Sequence, residues 1–399
     1  MEELKKIPIA KPFLGEEEAL ATHRPILTGW VTQGPEVAAF EEEFSRVVGS
    51  THACAVSNCT VALYMALLAV GVKAGDEVIT VSHSFIATAN AVRYTGATPV
   101  FVDIDPATYN MDPKLIERVI TGRTRAIVCV HQLGMPCDLK AVVDIGRKHH
   151  LAVIEDAACA IGSEILWDGK WEKIGKPHGD IACFSFHPRK VITTGDGGML
   201  TTNNAEYDDH FRLLRQHGMS VPDTARHTAK SVINESYVLL GHNFRMTDIQ
   251  AAVGREQLKR LPGLVKERRD MAHTYHTLLK DIPEIMLPLQ SGFARSNWQT
   301  YCVRLAEHID QQRVMQFMRD QGVATRRGVM CAHREPAYPR EVWSCGIDAG
   351  ACDCEPFTCQ RLQRSERVQD HGLVIPLYNG LSEQEQLRVV ETLKTALLA

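Results

Sequence analysis

Short apolar runs alternate with helical stretches over residues 50–260. Gly, Asp, Asn and Thr bound these runs, which is typical of strands buried in a sheet. The predicted strands are 53–56, 77–80, 98–102, 126–130, 151–154, 181–184 and 198–201. Apolar residues at helical spacing lie between several of them, as in 61–69 and 139–148. Strands that alternate with helices predict an α/β fold with a mostly parallel sheet and helices on both faces.

The pattern changes after residue 260. The Pro262-Gly263 pair predicts a break in the chain near the edge of a domain. The strands and helices expected beyond it are 298–305, 373–376, 312–321 and 382–398. This mixture predicts a smaller α+β domain. We therefore expect a large domain over 1–260, with 1–30 as an N-terminal segment, and a small domain over 261–399.

Composition narrows the class of protein. The 399 residues are 45% hydrophobic and 23% charged, which is typical of a globular protein. A net charge of -4 gives no reason to expect nucleic acid as a partner. We expect no membrane segment and no signal peptide, because no apolar run is long enough and the first residues are charged. These features favour a cytoplasmic protein.

The distribution of cysteines along the chain also favours a cytoplasmic protein. The chain has 12 cysteines scattered along its length, so we expect reduced thiols rather than a disulfide framework. The densest group is Cys345, Cys352, Cys354 and Cys359, with Cys331 and His333 nearby. Its spacing lacks the paired knuckles of structural zinc sites, so we predict no metal. Zinc remains the alternative for this group.

A candidate anion site joins the first predicted strand to the helix at 61–69. Its residues are Ser57-Asn58-Cys59-Thr60. Free backbone N–H groups and the helix dipole attract anions at a helix start, and Thr60 adds a hydroxyl. A plain helix cap is the alternative interpretation.

An acid and an amine follow further along the chain. Asp156 ends an apolar strand, where a buried carboxylate needs a cation such as a pyridinium nitrogen; a cap or an ion pair is the alternative. Lys190 lies between the strand 181–184 and the glycine-rich turn 195–198, which suits a functional amine better than a solubilising charge.

Phe85 could stack on a flat ring or pack in the core. The chain thus carries a phosphate-binding turn, an aromatic residue, an acid and a lysine, in this order. This order predicts that the protein binds pyridoxal 5'-phosphate (PLP) through Lys190. Proton transfer by Lys190 would require burial and the nearby cationic ring to lower its basicity.

Several motifs together resemble the DegT/DnrJ/EryC1/StrS family of sugar aminotransferases. The matching segments are Gly29-Trp30-Val31-Thr32-Gln33-Gly34, Ser57-Asn58-Cys59-Thr60, Gly75-Asp76-Glu77-Val78-Ile79, Gly96-Ala97-Thr98-Pro99-Val100, Glu155-Asp156-Ala157-Ala158, Ser185-Phe186-His187-Pro188-Arg189-Lys190 and Asn243-Phe244-Arg245-Met246-Thr247-Asp248. The resemblance covers nearly the whole chain. It implies a PLP enzyme of fold type I, which is the aspartate aminotransferase-like fold, and a homodimer with shared active sites.

The resemblance also implies roles for single residues. Lys190 would form the Schiff base, and Asp156 would bind the pyridine nitrogen. The other cofactor contacts would be Cys59, Thr60 and Ser185 at the phosphate, Phe85 at the ring, Cys159 at the phenolic oxygen and Asn243 at the phosphate of the neighbouring subunit's cofactor. At the Cys159 position relatives often carry Gln or His, and a thiol is a weaker hydrogen-bonding partner.

The implied reaction moves an amino group from L-glutamate, through the pyridoxamine form (PMP) of the cofactor, to a nucleotide-linked keto sugar. The motif around Lys190 resembles that of relatives acting on 4-keto sugars more than 3-keto sugars, which implies amination at C-4. Candidate substrate residues are Trp30, Thr32, Gln33, His187, Arg326 and His333. The alternatives are a PLP- or PMP-dependent sugar dehydratase, which Lys190 disfavours, a non-catalytic PLP-binding sensor, and a fold-type-I enzyme acting on small amino acids.

Overall fold

The computed structural model describes residues 6–221, 231–346 and 354–398. Its α-helices are α1 Glu16–Ala21, α2 His23–Thr28, α3 Pro35–Val48, α4 Cys59–Ala69, α5 Ala87–Tyr94, α6 Leu139–His149, α7 Ala205–Leu214, α8 Asp248–Leu279, α9 Gln311–Asp320, α10 Gln363–His371 and α11 Glu383–Leu398. No helix in these three ranges is both long and apolar enough to cross a lipid bilayer.

Three β-sheets are present within the described ranges. The strands are β1 His52–Val56, β2 Glu77–Val81, β3 Thr98–Val102, β4 Thr124–Val130, β5 Ala152–Asp156, β6 Glu164–Trp167, β7 Lys170–Lys173, β8 Ile181–Ser185, β9 Gly198–Thr202, β10 Ile285–Met286, β11 Ala294–Arg295, β12 Tyr301–Leu305, β13 Arg326–Arg327 and β14 Gly372–Ile375. The largest sheet has seven strands in the order β1-β9-β8-β5-β4-β2-β3. The smaller sheets have the orders β10-β12-β14-β13 and β11-β6-β7.

The large sheet is mostly parallel, as predicted. Strands β3, β2, β4, β5 and β8 run in the same direction. Strand β9 is antiparallel to both of its neighbours, β8 and β1. All seven strands predicted before residue 260 are present, and the α/β fold class with a smaller C-terminal α+β part is confirmed.

Burial on both faces explains why these strands read as continuous apolar runs. All five residues of β2 are buried. Helix α4 packs against the sheet on one side and against α5 and α7 on others, so apolar residues all around this helix are covered. The opposite face carries a second layer in which Phe40 and Phe44 contact Phe184 and Phe186. The sheet is thus covered on both sides.

The predicted break at Pro262-Gly263 is wrong. Helix α8 is continuous over 32 residues, with Pro262 inside it. Its first half packs into the core of the large sheet through Leu258 and Leu261, and its second half packs into a separate core through Tyr275 and Leu279. Packing at both ends outweighs the local cost of proline in a helix. The boundary at 260/261 falls within α8, and the domain limits stay a prediction.

Asp248 joins the start of α8 to the start of α3. Its Oδ1 accepts hydrogen bonds from the backbone N–H groups of Gly34 at 2.7 Å and Val37 at 3.0 Å. Its Oδ2 accepts a third, from Glu36 at 3.1 Å. These are donors that a helix start leaves without intrahelical partners. The side chain that begins one helix therefore caps another, and this accounts for an acid at the end of the 243–248 motif.

Replacing this cap should destabilise the fold. We expect Asp248→Ala to lower the free energy of unfolding by about 2–3 kcal/mol, because buried N–H groups would lose a charged acceptor. Urea denaturation of both proteins measures the difference. The exposed Asp281→Ala change is the matched control, expected to stay within about 0.5 kcal/mol of the parent. Equal losses in the two variants would contradict the capping role.

Candidate active site

One cavity of about 390 Å³ lies beyond the carboxyl ends of β2, β4, β5 and β8. Ligands bind at this edge in open α/β sheets. The cavity brings together nine of the residues singled out from the sequence, which are Cys59, Thr60, Phe85, Asp156, Cys159, Ser185, His187, Lys190 and Arg326. They come from segments far apart in the chain, and the parallel strand directions bring them to one place.

Lys190 projects into this cavity from the turn after β8. Its backbone N–H donates to His187 O at 2.8 Å, and its Nζ donates to Cys159 Sγ at 3.1 Å. Burial acts to lower the pKa of Lys190, as expected. The contact with Cys159 and the charge of Asp156 act in the opposite direction and outweigh burial, so the pKa of Lys190 is raised. The amine is therefore held as a cation facing sulfur and carboxylate.

Asp156 ends β5 and is buried, with 5% of its surface exposed. Thr88 Oγ1 donates to its Oδ2 at 2.7 Å, and the Ala158 N–H donates to its Oδ1 at 3.2 Å. Ser84 Oγ lies 2.8 Å from Thr88 Oγ1 and completes a short chain of hydroxyls. The carboxylate is thus held in one orientation at the cavity wall, and its charge is available to a cation there.

The start of α4 forms the predicted anion site. Asn58 Oδ1 accepts from the Val61 N–H at 3.1 Å and caps the helix. Strand β9 crosses so close that a Cβ at Gly198 would lie 2.5 Å from the carbonyl carbon of Asn58 and 2.8 Å from Cys59 N. Burial raises the pKa of the Cys59 thiol well above its usual range, so this side chain adds no negative charge. A neutral thiol at a helix start suits a phosphate.

Phe85 is an exposed aromatic at the cavity rather than a core residue. Its side chain is 63% exposed, although it follows the buried strand β2. The interpretation of Phe85 as core packing is therefore wrong. An exposed ring beside an amine, a carboxylate and an anion site fits a flat, phosphorylated, cationic ring. The residues present fit PLP.

Comparisons with known proteins agree with this geometry. The model of the DegT/DnrJ/EryC1/StrS aminotransferase family matches residues 12–394. The chain belongs to this family. The spore coat polysaccharide biosynthesis protein SpsC of Bacillus subtilis is 35% identical over 392 residues, covering 97% of this chain and 96% of SpsC.

Solved structures show the same architecture. S. venezuelae DesV, solved with a ketimine intermediate, is 30% identical, with a TM-score of 0.84 over 98% of this chain and 99% of that one. Helicobacter pylori PseC, an aminotransferase involved in the biosynthesis of pseudoaminic acid, is 26% identical, with a TM-score of 0.86 over 99% of this chain and 100% of that one. The chain is a PLP-dependent sugar aminotransferase.

Other predicted residues of this aminotransferase lie outside the cavity lining. Trp30 donates its indole N–H to Gln33 O at 3.1 Å, and Thr32 lies beside it on the exposed surface. Asn243 is exposed. The roles predicted for these four residues stay predictions.

His333 is also placed away from the cavity. It is 2% exposed, its Nδ1 lies 2.6 Å from Ser82 Oγ, and its Nε2 lies 2.9 Å from Glu366 Oε1. Both ring nitrogens are therefore engaged, and His333 joins Ser82, which follows β2, to Glu366 of α10. The structure supports a packing role for His333, and its predicted contact with a substrate stays a prediction.

The cysteine-rich segment of the aminotransferase lies apart from this site. Cys345 and Cys359 are buried in a small apolar cluster with Phe101 and Trp343. Cys352 falls outside the described residues. Within the described ranges, no group of three or more His, Cys, Asp or Glu side chains could hold a metal ion.

Three residues that hold the site together were not predicted from the sequence. Thr88 fixes Asp156, Gln299 Nε2 donates to Arg189 O at 2.5 Å, and Asn297 Nδ2 donates to Cys159 O at 2.8 Å. Thr88 had a usable signal, because it is a hydroxyl residue near Phe85 at the start of a helix. Asn297 and Gln299 had none, since their partners are more than 100 residues away in the chain.

Thr88 should act as a positioning residue for Asp156. We expect Thr88→Val to weaken PLP binding roughly 10-fold or more, because the carboxylate loses a charge-assisted hydrogen bond. Equilibrium binding followed by cofactor absorbance measures this. Thr88→Ser keeps the hydroxyl and should restore affinity. Similar weakening in both variants would point to lost packing of the methyl group instead.

Proposed function

We propose that this enzyme transfers an amino group from L-glutamate to C-4 of a keto sugar linked to a nucleoside diphosphate. The observation that carries the proposal is one cavity that combines the Lys190 amine, the Asp156 carboxylate and two arginines, Arg189 and Arg326. The first pair suits the cofactor, and the second pair suits an anionic substrate.

Each part of the cofactor would have a partner among the residues that line the cavity. When bound, PLP supplies an electron sink next to the substrate carbon. Asp156 would stabilise the proton on the ring nitrogen, and the start of α4 at Cys59 and Thr60, with Ser185, would hold the phosphate. Lys190 Nζ would anchor the cofactor and then accept and return a proton at the substrate carbon. Phe85 would lie against the ring, and Cys159 would meet the phenolic oxygen.

The arginines support a phosphorylated substrate. Among the described residues, the guanidinium groups of Arg189 and Arg326 have no acidic partner. Burial lowers the pKa of Arg326, and Arg189 and Arg327 lower it further by repulsion. An anion would relieve this repulsion, and guanidinium groups pair well with phosphate oxygens. A diphosphate link places such an anion on the substrate. His187, at the same wall, is available to the sugar.

The relatives support an amino sugar as the product. SpsC takes part in spore coat polysaccharide biosynthesis and PseC in the biosynthesis of pseudoaminic acid. We extend this to the present enzyme as amino sugar formation for a polysaccharide. The choice of C-4 rests on the resemblance of the His187-Pro188-Arg189-Lys190 motif.

We further propose a homodimer with shared active sites. Phe85, Tyr94 and Leu27 are large apolar residues with 63%, 59% and 84% exposure, which supports a covering partner. Asn243 is exposed and lies outside its own cavity, consistent with a contact to the cofactor phosphate in the neighbouring subunit. A cytoplasmic location is also proposed, and the free cysteines of the described residues support it.

A panel of acceptors tests the substrate. The pyridoxamine form of the enzyme is incubated with nucleotide-linked 4-keto sugars, the matching 3-keto sugars, the same sugars without a nucleotide, and small keto acids. We expect amine gain in the nucleotide-linked 4-keto sugars, with PLP regenerated, read by mass and absorbance. Loss of water instead of amine gain would favour the dehydratase, and turnover of small keto acids alone would favour an amino acid enzyme.

The Arg326→Gln variant tests whether Arg326 binds the diphosphate of the nucleotide sugar. It should raise KM for the nucleotide sugar roughly 10-fold or more while the half-reaction with L-glutamate keeps its rate. Arg319→Gln, on the exposed face of α9, is the control. An unchanged KM in Arg326→Gln would contradict the diphosphate contact.

The role of Lys190 has a separate test. Lys190→Ala should lose about 10²–10⁴-fold in turnover, since the proton-transferring amine is gone. Borohydride treatment of the parent holoenzyme should fix the cofactor on the peptide that contains Lys190, and the variant should give no fixed cofactor. A label on another lysine would overturn the assignment. Circular dichroism of the variant should match the parent.

A further inference from the structure

Lys190 and Cys159 form an amine–thiol contact inside the cavity. The distance from Lys190 Nζ to Cys159 Sγ is 3.1 Å. Of the described cysteines, Cys159 and Cys354 are half-buried and the others are buried. Cys159 therefore combines access to small solutes with a primary amine at contact distance.

Hydrogen bonds from one segment fix both partners of this contact. Asn297 Nδ2 donates to the carbonyl oxygen of Cys159 at 2.8 Å. Gln299 Nε2 donates to the carbonyl oxygen of Arg189 at 2.5 Å, immediately before Lys190. Because the two backbones are tied to the same short stretch, nitrogen and sulfur are held close without a rearrangement of the fold.

We propose that Cys159 is an oxidation site at which hydrogen peroxide drives a reversible sulfur–nitrogen link to Lys190. Peroxide transfers one oxygen atom to Sγ and gives a sulfenic acid and water. Lys190 Nζ then attacks Sγ, an S–N bond forms, the S–O bond breaks, and a second water leaves with the amine proton. The sum is thiol plus amine plus hydrogen peroxide giving sulfenamide plus two waters. Sulfur loses two electrons, and peroxide gains them.

Cys59 serves as an internal contrast in the same cavity. Burial raises the pKa of the Cys59 thiol well above its usual range. The thiolate is the form that peroxide oxidises, so Cys59 should resist. Cys159 has greater exposure, and its sulfur contacts the amine that can trap a sulfenic acid.

The link would switch the enzyme off, because it consumes the amine of Lys190; this consequence rests on the role proposed for Lys190 above. Two thiol molecules would restore thiol and amine and leave as a disulfide. The link requires a free amine, so the pyridoxamine form of the enzyme should be sensitive and the PLP form, in which Lys190 is already bonded, should be protected. The neutral amine is the attacking species, so the link should form faster as pH rises.

The experiment treats the holoenzyme, in its pyridoxamine and PLP forms, with hydrogen peroxide, blocks free thiols and maps the peptides by mass spectrometry. We expect the Cys159 and Lys190 peptides joined with the loss of two hydrogen atoms, at least roughly 10-fold more in the pyridoxamine form. Dithiothreitol should return both peptides unmodified. Cys159→Ser should give no link, and Cys354→Ser, which removes the other half-buried thiol, should give it in full.

Three results would overturn the proposal. They are an unmodified Cys159, a Cys159 carried to sulfinic acid without a link, and a sulfur bridge to another cysteine. The role of Lys190 in catalysis is judged separately: if the link forms but Lys190→Ala keeps parental turnover, the oxidation site stands and the proposed function fails. In Lys190→Ala, peroxide should leave Cys159 as an unlinked sulfenic acid.

Discussion

Burial of the Asp156 carboxylate is the constraint on which the active site depends. A charge placed at the end of a buried strand needs hydrogen bonds and a cation close by. Thr88 and Ala158 provide the hydrogen bonds. The cation is Lys190, which lies in the same cavity as Asp156. Because the parallel strands end at one edge, an acid, a helix start and the turn that carries the amine converge there.

Strand β5 carries two adjacent acids with different environments. Successive side chains of a strand point to opposite faces, so Glu155 points away from Asp156. Glu155 is fully buried and its Oε2 lies 3.0 Å from His131 Nε2, while His131 Nδ1 accepts a hydrogen bond from the Cys137 N–H. This arrangement makes Nε2 the donor to Glu155. One acid therefore braces the sheet behind the site, and the other faces the cofactor.

The cavity also depends on parts of the chain beyond the large sheet. Strand β13 contributes Arg326, and the stretch before β12 contributes Gln299, whose side chain holds the turn that carries Lys190. The continuous helix α8 packs into both cores. The residues that would bind the anion and the turn that carries the amine are therefore held by elements that also stabilise the fold. Hydrogen bonds from Asn297 and Gln299, just before β12, keep the Lys190 amine and the Cys159 thiol in contact.

The amino-acid sequence by itself determined the strands, their alternation with helices, and the order of Cys59, Phe85, Asp156 and Lys190, because periodicity and strand-end chemistry are local properties. The tertiary structure alone decided the rest. The continuity of α8 across Pro262, the burial of His333 and the hydrogen bond from Thr88 to Asp156, between residues 68 positions apart, depend on packing between distant segments. A local pattern carries no information on such contacts, since their free energy arises only when the sheet has formed and brought the partners together.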